Sequence, residues 1–375
     1  MEKNNRKIKL IVSVVVLMVL SVCFFISVFL SHHANTDFGL YYSTAKKILD
    51  SNTPNTSIYD IDTVDKYSIP EAIENAGFPY SMPAAYIMAP LALISYFKAK
   101  AAMIFINMLM YLSAITIALK MGRASGRWFA YPLALLCLWW PFIQNMRQGQ
   151  VNGILLFLIA LAVLAATKNR PTICGIFLAI AALFKLFPIA IAMMIGIKNW
   201  RIFASCLFVF VISFLIPGSP KWIEAISSYP RYYKHYSFIY LWLKQFSLVW
   251  FWIYASTIAG FSALVAYRAK DANYPILTSF AIPAVFLTMP ILEYPHFTLL
   301  PFSYAYLLVS AKRSNRLLIT SIFISFIMIS ISFFSEELLF SINTGKVISF
   351  LGLSVFWVAL AYNLSATSSV GGLNV

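Results

Sequence analysis

Long apolar runs recur along this chain, and they constrain its fold more than any other feature of the sequence. The runs are about 16 to 26 residues long, and about 20 predominantly apolar residues cross the hydrocarbon core of a bilayer as an α-helix. Of the 375 residues, 61% are hydrophobic and 11% are charged, whereas a soluble domain carries about 25% charged residues. The sequence therefore predicts an all-α integral membrane protein, a multi-pass bundle of about 10 to 12 transmembrane helices. The predicted spans are residues 10–31, 82–97, 99–120, 128–143, 151–167, 172–197, 202–217, 247–267, 275–290, 297–311, 317–334 and 346–363.

The first run, residues 10–30, follows a cluster of basic residues, as the apolar region of a signal peptide does. It is about 20 residues long and no small-x-small cleavage site follows it, so we expect an uncleaved span with a cytoplasmic N-terminus. One crossing then places residues 32–81 outside as the first extracytoplasmic loop, and residues 218–246 form a second extracytoplasmic segment. We expect a single transmembrane domain over residues 1–375.

Two topologies remain open in the middle of the chain. If every predicted span crosses, the basic residues within 120–127 lie outside, against the trend for basic residues to lie inside. Alternatively, residues 82–120 form one crossing plus a surface segment and the run 172–197 is divided at Lys185. Both arrangements place the first loop and the stretch around His296 outside.

The formal net charge of +15 is also typical of nucleic-acid-binding proteins. Here the basic residues occupy short loops between apolar runs, which is where membrane proteins concentrate them. No stripe of basic and aromatic residues suggests a nucleic-acid groove. The four cysteines lie inside apolar runs, where a free cysteine behaves as a small hydrophobe. Their spacing predicts neither disulfides nor a metal site, so we expect membrane lipids as surroundings, no metal, no cofactor and no nucleic-acid partner.

The first outer loop holds seven of the thirteen acidic residues. Six aromatic and aliphatic residues recur there at helical spacing, while Lys46, Lys47 and Asp50 face the other way. This pattern predicts an amphipathic helix that lies along the membrane surface, and we expect a second short surface helix near residues 62–75. The six apolar residues are Phe38, Tyr41, Tyr42, Ala45, Ile48 and Leu49.

Asp37 opens the predicted surface helix, a few residues after the first span. Charged residues at or inside the membrane are costly, so each is a candidate for function. An ordinary structural role would be that of a helix N-cap, where Asp is favoured. The functional alternative is a general base, because a partly desolvated carboxylate at the membrane boundary can deprotonate an acceptor hydroxyl.

A polar stretch, residues 147–152, separates two apolar runs. A loop with a turn glycine would explain it as structure alone. The functional alternative is a cluster of donors for a phosphate or for sugar hydroxyls. The planar guanidinium of Arg147 fits phosphate, and Gln150 and Asn152 add amides.

Lys185 lies near the centre of the apolar run 172–197. Pro188 breaks the helical hydrogen-bond ladder there and frees carbonyl groups that need partners. The nearest membrane interface is about half a span away, which is far for a lysine that snorkels. We therefore expect Lys185 to pair with an anionic group such as a phosphate. His296, directly before a later apolar run, is a candidate for a further phosphate contact, although a lone histidine is more often structural.

Several short motifs, taken in chain order, resemble glycosyltransferase family 87 of the GT-C membrane superfamily. The resemblance covers roughly residues 10 to 310 and departs from the family pattern at the late motif, where no Trp precedes His296 and Phe297 replaces the usual Tyr. The motifs are Asp37 with Tyr41-Tyr42 and Ile58-Tyr59-Asp60, Phe78 to Pro83 with Ala89 to Ala92, Gly149-Gln150-Val151-Asn152, Gly175 to Pro188 around Lys185, Lys198 to Arg201, and Tyr294-Pro295-His296 with Leu299-Leu300-Pro301.

The resemblance implies a GT-C fold, a polyprenyl-phosphate-linked sugar donor, usually of mannose, and a lipid or glycan acceptor. It also implies catalysis on the outer face of the plasma (inner) membrane and inversion at the anomeric carbon. The catalytic carboxylate of the family corresponds to Asp37. A phosphate leaving group needs cations more than a proton donor, so a single carboxylate beside cations is expected rather than the two close carboxylates of a hydrolase. We expect Lys185, Arg147 and His296 to bind the donor phosphate, and Tyr41, Tyr80, Gln150 and Asn152 to bind substrate.

Two other functions remain alternatives at this point. A transporter or flippase of lipid-linked saccharides often has internal symmetry, and the sequence shows none. A polymerase of lipid-linked saccharides is expected to carry a large Arg-rich outer loop, whereas residues 218–246 are basic but short.

Overall fold

The computed structural model describes residues 37–50, 58–59, 78, 80–124, 132–133, 135–137, 139–228, 236–311, 315–334 and 342–368. Two predicted elements lie outside these residues: the first span and the second surface helix near residues 62–75. Of the span predicted at 128–143, only a few positions of the N-terminal part are described. Within them the chain is helical, apart from turns and one isolated antiparallel bridge between Tyr236 and Ile291. The prediction of an all-α protein is confirmed.

The described helices follow the predicted apolar runs closely, and short 3-10 segments join several of them. The α-helices are α1 (Asp37–Leu49), α2 (Met82–Met88), α3 (Tyr96–Met121), α4 (Trp140–Gln148), α5 (Asn152–Thr167), α6 (Pro171–Phe184), α7 (Phe187–Gly196), α8 (Trp200–Ile212), α9 (Lys221–Ser228), α10 (Phe238–Lys244), α11 (Leu248–Arg268), α12 (Tyr274–Thr288), α13 (Leu300–Ser310), α14 (Arg316–Phe334) and α15 (Ile342–Ser368). The 3-10 helices are Ala89–Leu93, Ser213–Leu215 and Tyr294–Leu299.

Three of the described helices are long and apolar enough to cross a membrane by themselves: Tyr96–Met121, Leu248–Arg268 and Thr344–Ser365. A fourth candidate is the pair α4 and α5, which passes the same test together but is bent by 119°. The other apolar helices are shorter, at 10–17 residues. The chain is therefore an integral membrane protein with several spans, and the count of about 10 to 12 stays a prediction.

Helix α1 is confirmed as a helix, and its position along the membrane surface stays a prediction. It packs against α2 and the 3-10 helix Ala89–Leu93, and it is buried on nearly all sides. Lys47, predicted on the outward side, is buried, while Leu49, predicted on the apolar side, is 45% exposed. The polar side of the helix is lined by small residues such as Ser43, whose hydroxyl donates to the Leu40 carbonyl oxygen at 3.1 Å. Because this hydroxyl is hydrogen-bonded within the helix, neighbouring elements can cover this side without leaving it unpaired.

The run predicted at 172–197 is two helices, α6 and α7, separated at Lys185. Pro188 has no N–H to donate, so the ladder cannot continue through it. The Leu183 carbonyl oxygen, freed at the end of α6, accepts hydrogen bonds from the Ser81 hydroxyl at 2.6 Å and the Ser81 N–H at 3.4 Å. This break lies at the position where the second topology divides the run.

Candidate active site

Four interruptions of the helices meet in one place and carry polar side chains to it. Asp37 lies in the first turn of α1, and Gln150 lies at the corner between α4 and α5. Lys185 lies at the break between α6 and α7. Glu293 and His296 belong to the segment that follows α12 and includes the 3-10 helix Tyr294–Leu299. These residues come from separate parts of the chain, and hydrogen bonds join them into one cluster.

The side-chain amide of Gln150 is the centre of the cluster. Its nitrogen Nε2 donates to Asp37 Oδ2 and lies 3.3 Å from Glu293 Oε2, so it faces two carboxylates. Its oxygen Oε1 accepts from Lys185 Nζ at 3.1 Å and from Asn152 Nδ2 at 2.9 Å. Acceptors surround the nitrogen and donors surround the oxygen, which fixes the orientation of the amide. The side chain is buried, so it bridges the anionic and cationic parts of the site.

The corner that carries Gln150 is built by Gly149. Gly149 ends α4 in the left-handed conformation, with φ 65°, which glycine adopts without the steric cost that other residues meet. A Cβ atom at this position would lie 2.6 Å from the Phe38 Cβ atom. Phe38 is fully buried and directly follows Asp37. The corner is thus packed against the first turn of α1, which couples the positions of Gln150 and Asp37.

Buried amides hold the start of α5 against its neighbours. Asn145 Oδ1 accepts from the Asn152 N–H, and Asn107 Oδ1 on α3 accepts from the Gly153 N–H, both at 3.1 Å. A helix leaves its first N–H groups without intrahelical partners, and these two asparagines satisfy two of them inside the protein. They fix the corner from a second side.

Lys185 and His296 lie together at the oxygen end of the Gln150 amide. Lys185 Nζ lies 3.0 Å from His296 Nε2, and His296 Nδ1 lies 2.9 Å from the Glu293 backbone nitrogen and 3.1 Å from its carbonyl oxygen. The Glu293 backbone N–H donates to Nδ1. Lys185 is half-buried and His296 is buried, so an anion bound here meets these groups with little competition from water.

The segment that carries His296 is fixed to the start of α4. Trp139 Nε1 donates to the Phe297 carbonyl oxygen at 3.1 Å, and the Thr298 hydroxyl donates to the Pro141 carbonyl oxygen at 3.1 Å. The same helix, α4, ends at the corner that carries Gln150. His296 and Gln150 are therefore held by one rigid element.

Tyr41 and Tyr80 stand beside Asp37. Tyr41 follows Asp37 by one turn of α1, and its ring centroid lies 4.9 Å from that of Tyr80. Burial, together with the nearby Tyr41 and Asp37, raises the pKa of the Tyr80 hydroxyl well above its ordinary value. The Tyr80 hydroxyl therefore stays protonated at neutral pH, next to the carboxylate.

The structure brings together most of the residues that the sequence singled out. Asp37, Gln150, Asn152, Lys185 and His296 form one hydrogen-bonded cluster. Tyr41 and Tyr80 adjoin it. Arg147 lies in the last turn of α4, three residues before Gln150, and is half-buried. That these residues bind substrate or phosphate stays a prediction.

Glu293 is the member that the sequence reasoning left out of the site. The expectation of a single carboxylate beside cations is wrong, because Glu293 shares the Gln150 amide with Asp37. Its signal in the sequence was an acidic residue directly before an apolar run, in the same short stretch as His296. Gln150 and Glu293 are 143 positions apart, so no local pattern in the sequence indicates that they pair. Among the described residues, no group of three His, Cys, Asp or Glu side chains is placed to hold a metal ion.

A comparison with known families defines the class of this protein as a membrane glycosyltransferase. The model of glycosyltransferase family 87 matches residues 78–292, more than half of the chain, and the chain belongs to this family. The matched region includes Tyr80, Gln150 and Lys185. Asp37 lies before it, and His296 lies after it.

Two solved structures of ArnT from Cupriavidus metallidurans are similar to this chain over most of its length. One is bound to undecaprenyl phosphate, with 14% identity and a TM-score of 0.44. The other is in the apo state, with 12% identity and a TM-score of 0.47. In both cases the match covers 96% of this chain and 77% of that chain. TM-scores below 0.5 are too low to transfer a function or a site. Among curated proteins, no match is found.

Proposed function

We propose that this family 87 protein transfers a hexose, with mannose expected, from a polyprenyl-phosphate-linked donor to a hydroxyl of a lipid or glycan acceptor. The reaction inverts the anomeric carbon and takes place on the extracytoplasmic face of the plasma membrane. The observation that carries the proposal is the Gln150 amide, which connects the Asp37 carboxylate to the Lys185 ammonium group. A base and a cation held on opposite sides of one amide suit a reaction that removes a proton at one end and releases a phosphate at the other.

Asp37 is the general base of this proposal. A general base must lie within hydrogen-bond reach of the proton that it removes. Asp37 is half-buried, so part of the residue is accessible. The Gln150 amide fixes the carboxylate while leaving acceptor capacity, because an ionised carboxylate has about four lone-pair sites.

Lys185, His296 and Arg147 stabilise the donor phosphate. When the bond between sugar and phosphate breaks, the negative charge on the leaving phosphate increases, and preorganised cationic donors stabilise it most. Hydrogen bonds that involve ionised partners are about twice as strong as neutral ones. The 3.0 Å contact of Lys185 with His296 places an ammonium group and an imidazole nitrogen at one point.

The amides and tyrosines around the cluster hold the hydroxyls of the transferred sugar. Asn152 Oδ1 is buried and has no hydrogen-bond partner among the described residues, and a buried acceptor of this kind favours binding of a polar ligand group. Gln150, Tyr41 and Tyr80 adjoin Asp37. A sugar held by them is presented to an acceptor activated by that carboxylate.

The replacement of Asp37 by Asn tests the assignment of the base. Membranes that contain the Asp37→Asn variant at wild-type abundance should transfer less than about 1% of the sugar transferred by wild type, since general-base catalysis contributes about 10²- to 10⁴-fold. Asp271, exposed and outside the cluster, provides the matched control: Asp271→Asn should transfer at the wild-type rate. Undiminished transfer by Asp37→Asn would exclude it as the base.

A further inference from the structure

Glu293 occupies a place that the proposed reaction does not use. Its carboxylate oxygen Oε2 lies 3.3 Å from the same amide nitrogen that donates to Asp37 Oδ2. The side chain is half-buried. Two carboxylates thus share one amide group, and a buried or half-buried like-charge pair is unfavourable unless the surroundings compensate for it.

The surroundings of Asp37 would by themselves make it a weak base. A hydrogen bond donated to a carboxylate stabilises its charged form, and so does a nearby cation. Gln150 donates directly to Asp37, and Lys185 binds the other end of the same amide. A general base works best when its proton affinity matches the working pH. A nearby negative charge would offset the stabilisation that Gln150 and Lys185 give to the ionised form of Asp37.

We propose that Glu293 is a positioning residue that sets the basicity of Asp37, an inference that rests on the proposed function. Its negative charge opposes the ionised form of Asp37 and thereby increases the proton affinity of that carboxylate. The amide of Gln150 has two N–H groups, and each can face one carboxylate. Glu293 therefore also holds the amide in the orientation that Asp37 requires.

Among the described residues, Glu293 is the acidic group near Asp37 that can have this effect. Among the described residues the other acids lie elsewhere: Asp50 follows the far end of α1, Glu224 lies on α9, and Asp271 lies before α12. The nearby tyrosine hydroxyls are neutral at neutral pH, and the cations act in the opposite direction. The other titratable or charged groups on α1 and on the elements around Asp37 are Tyr41, Tyr42, Lys46, Lys47, Tyr80, Tyr86, Tyr96, Lys98, Lys100, Tyr111, Lys120, Arg147, Lys185, Tyr294 and His296.

Glu293 also has a structural position, at the start of the 3-10 helix Tyr294–Leu299. A purely structural role predicts a different result from a tuning role. The side chain of Gln keeps the shape of Glu and an acceptor oxygen but lacks the charge. If Glu293 only caps the helix, Glu293→Gln would leave the pH dependence of the reaction unchanged.

The test is the pH profile of kcat/KM for sugar transfer in membranes that contain Glu293→Gln. The acidic limb should move to lower pH by about one unit or more, since like charges at this separation change proton affinity by that order. The rate at neutral pH should fall roughly threefold to tenfold, because a weaker base transfers the proton more slowly. Glu293→Asp, which keeps the charge, should keep the acidic limb closer to that of wild type. Glu224→Gln, exposed and outside the cluster, is the control and should not change the profile.

An acidic limb of Glu293→Gln that stays in place or moves to higher pH would overturn the inference. If Glu293→Gln does not fold, as shown by loss of its thermal transition, Glu293→Ala decides, because it also removes the charge: a downward shift of the acidic limb supports the inference, and an unchanged or upward limb overturns it. Asp37→Asn separates this inference from the proposed function. If Asp37→Asn is active, Asp37 is not the base and the proposed function loses its catalytic residue. If Asp37→Asn is inactive and the acidic limb of Glu293→Gln does not move, only the role of Glu293 is refuted.

Discussion

The contact between Gly149 and Phe38 predicts that a single added methyl group will both destabilise the protein and disable its site. In Gly149→Ala the residue must keep a φ of 65°, which costs a non-glycine residue about 1–2 kcal/mol. The new Cβ would also lie 2.6 Å from the Phe38 Cβ atom, and overpacking of this kind costs about 1–3 kcal/mol. The expected loss of unfolding free energy is therefore about 2–5 kcal/mol.

Phe38 cannot easily move away from the added methyl group. It is fully buried, and its ring centroid lies 5.5 Å from that of Tyr96 and 6.1 Å from that of Tyr42. The strain should therefore displace the first turn of α1, which carries Asp37, relative to Gln150. A displacement of about 1 Å at a reacting group can cost about 10²-fold in rate, so transfer should fall by about that factor even in the folded fraction.

The assay combines thermal unfolding in detergent with sugar transfer per folded molecule in membranes. Gly260→Ala is the matched control, because a Cβ at that exposed position on α11 meets nothing within 4 Å, and Ala should stabilise the helix by roughly 0.5–1 kcal/mol. Gly149→Asn separates the two costs, since Asn tolerates the left-handed conformation better but still carries the Cβ atom. A Gly149→Ala variant with wild-type stability and activity would refute the reasoning, and full recovery in Gly149→Asn would refute the part assigned to Phe38.

Two further substitutions test the break between α6 and α7. Lys185→Gln keeps a group that can donate a hydrogen bond but removes the charge. The KM for the lipid-linked sugar should therefore rise about 10- to 100-fold, as expected for the loss of a charged hydrogen bond, whereas the exposed control Lys168→Gln should leave the KM unchanged. An unchanged KM in Lys185→Gln would contradict phosphate binding by Lys185. Ser81→Ala removes the 2.6 Å hydrogen bond to the Leu183 carbonyl oxygen and should lower the unfolding free energy by about 1 kcal/mol. The exposed Ser256→Ala on α11 should not lower it, and equal stability of the two variants would show that the freed carbonyl does not need Ser81.

Some parts of this site follow from the sequence because their signals are local. A lysine in the middle of an apolar run, with a proline three residues later, predicts the break at Lys185 without knowledge of its neighbours. The spacing of aromatic residues after Asp37 predicts helix α1. The glycine and amides of residues 149–152 predict a polar turn between two apolar helices.

Other parts depend on contacts between distant segments, and the sequence does not contain them in readable form. The burial of Lys47 follows from the elements that cover α1, not from the composition of α1. Glu293 and Gln150 are 143 positions apart, and nothing in either local sequence indicates that one amide faces two carboxylates. The pairing of Ser81 with Leu183 is equally remote, at 102 positions.

The central claim is that the protein takes its sugar from a lipid phosphate. The most direct test supplies the purified full-length chain, in liposomes with an acceptor lipid extract, with labelled mannose on either polyprenyl phosphate or a nucleotide. Labelled glycolipid is expected from the polyprenyl-phosphate donor, none from the nucleotide sugar, and none from either donor with Asp37→Asn. Transfer from the nucleotide sugar, or no transfer from the polyprenyl-phosphate donor, would contradict it.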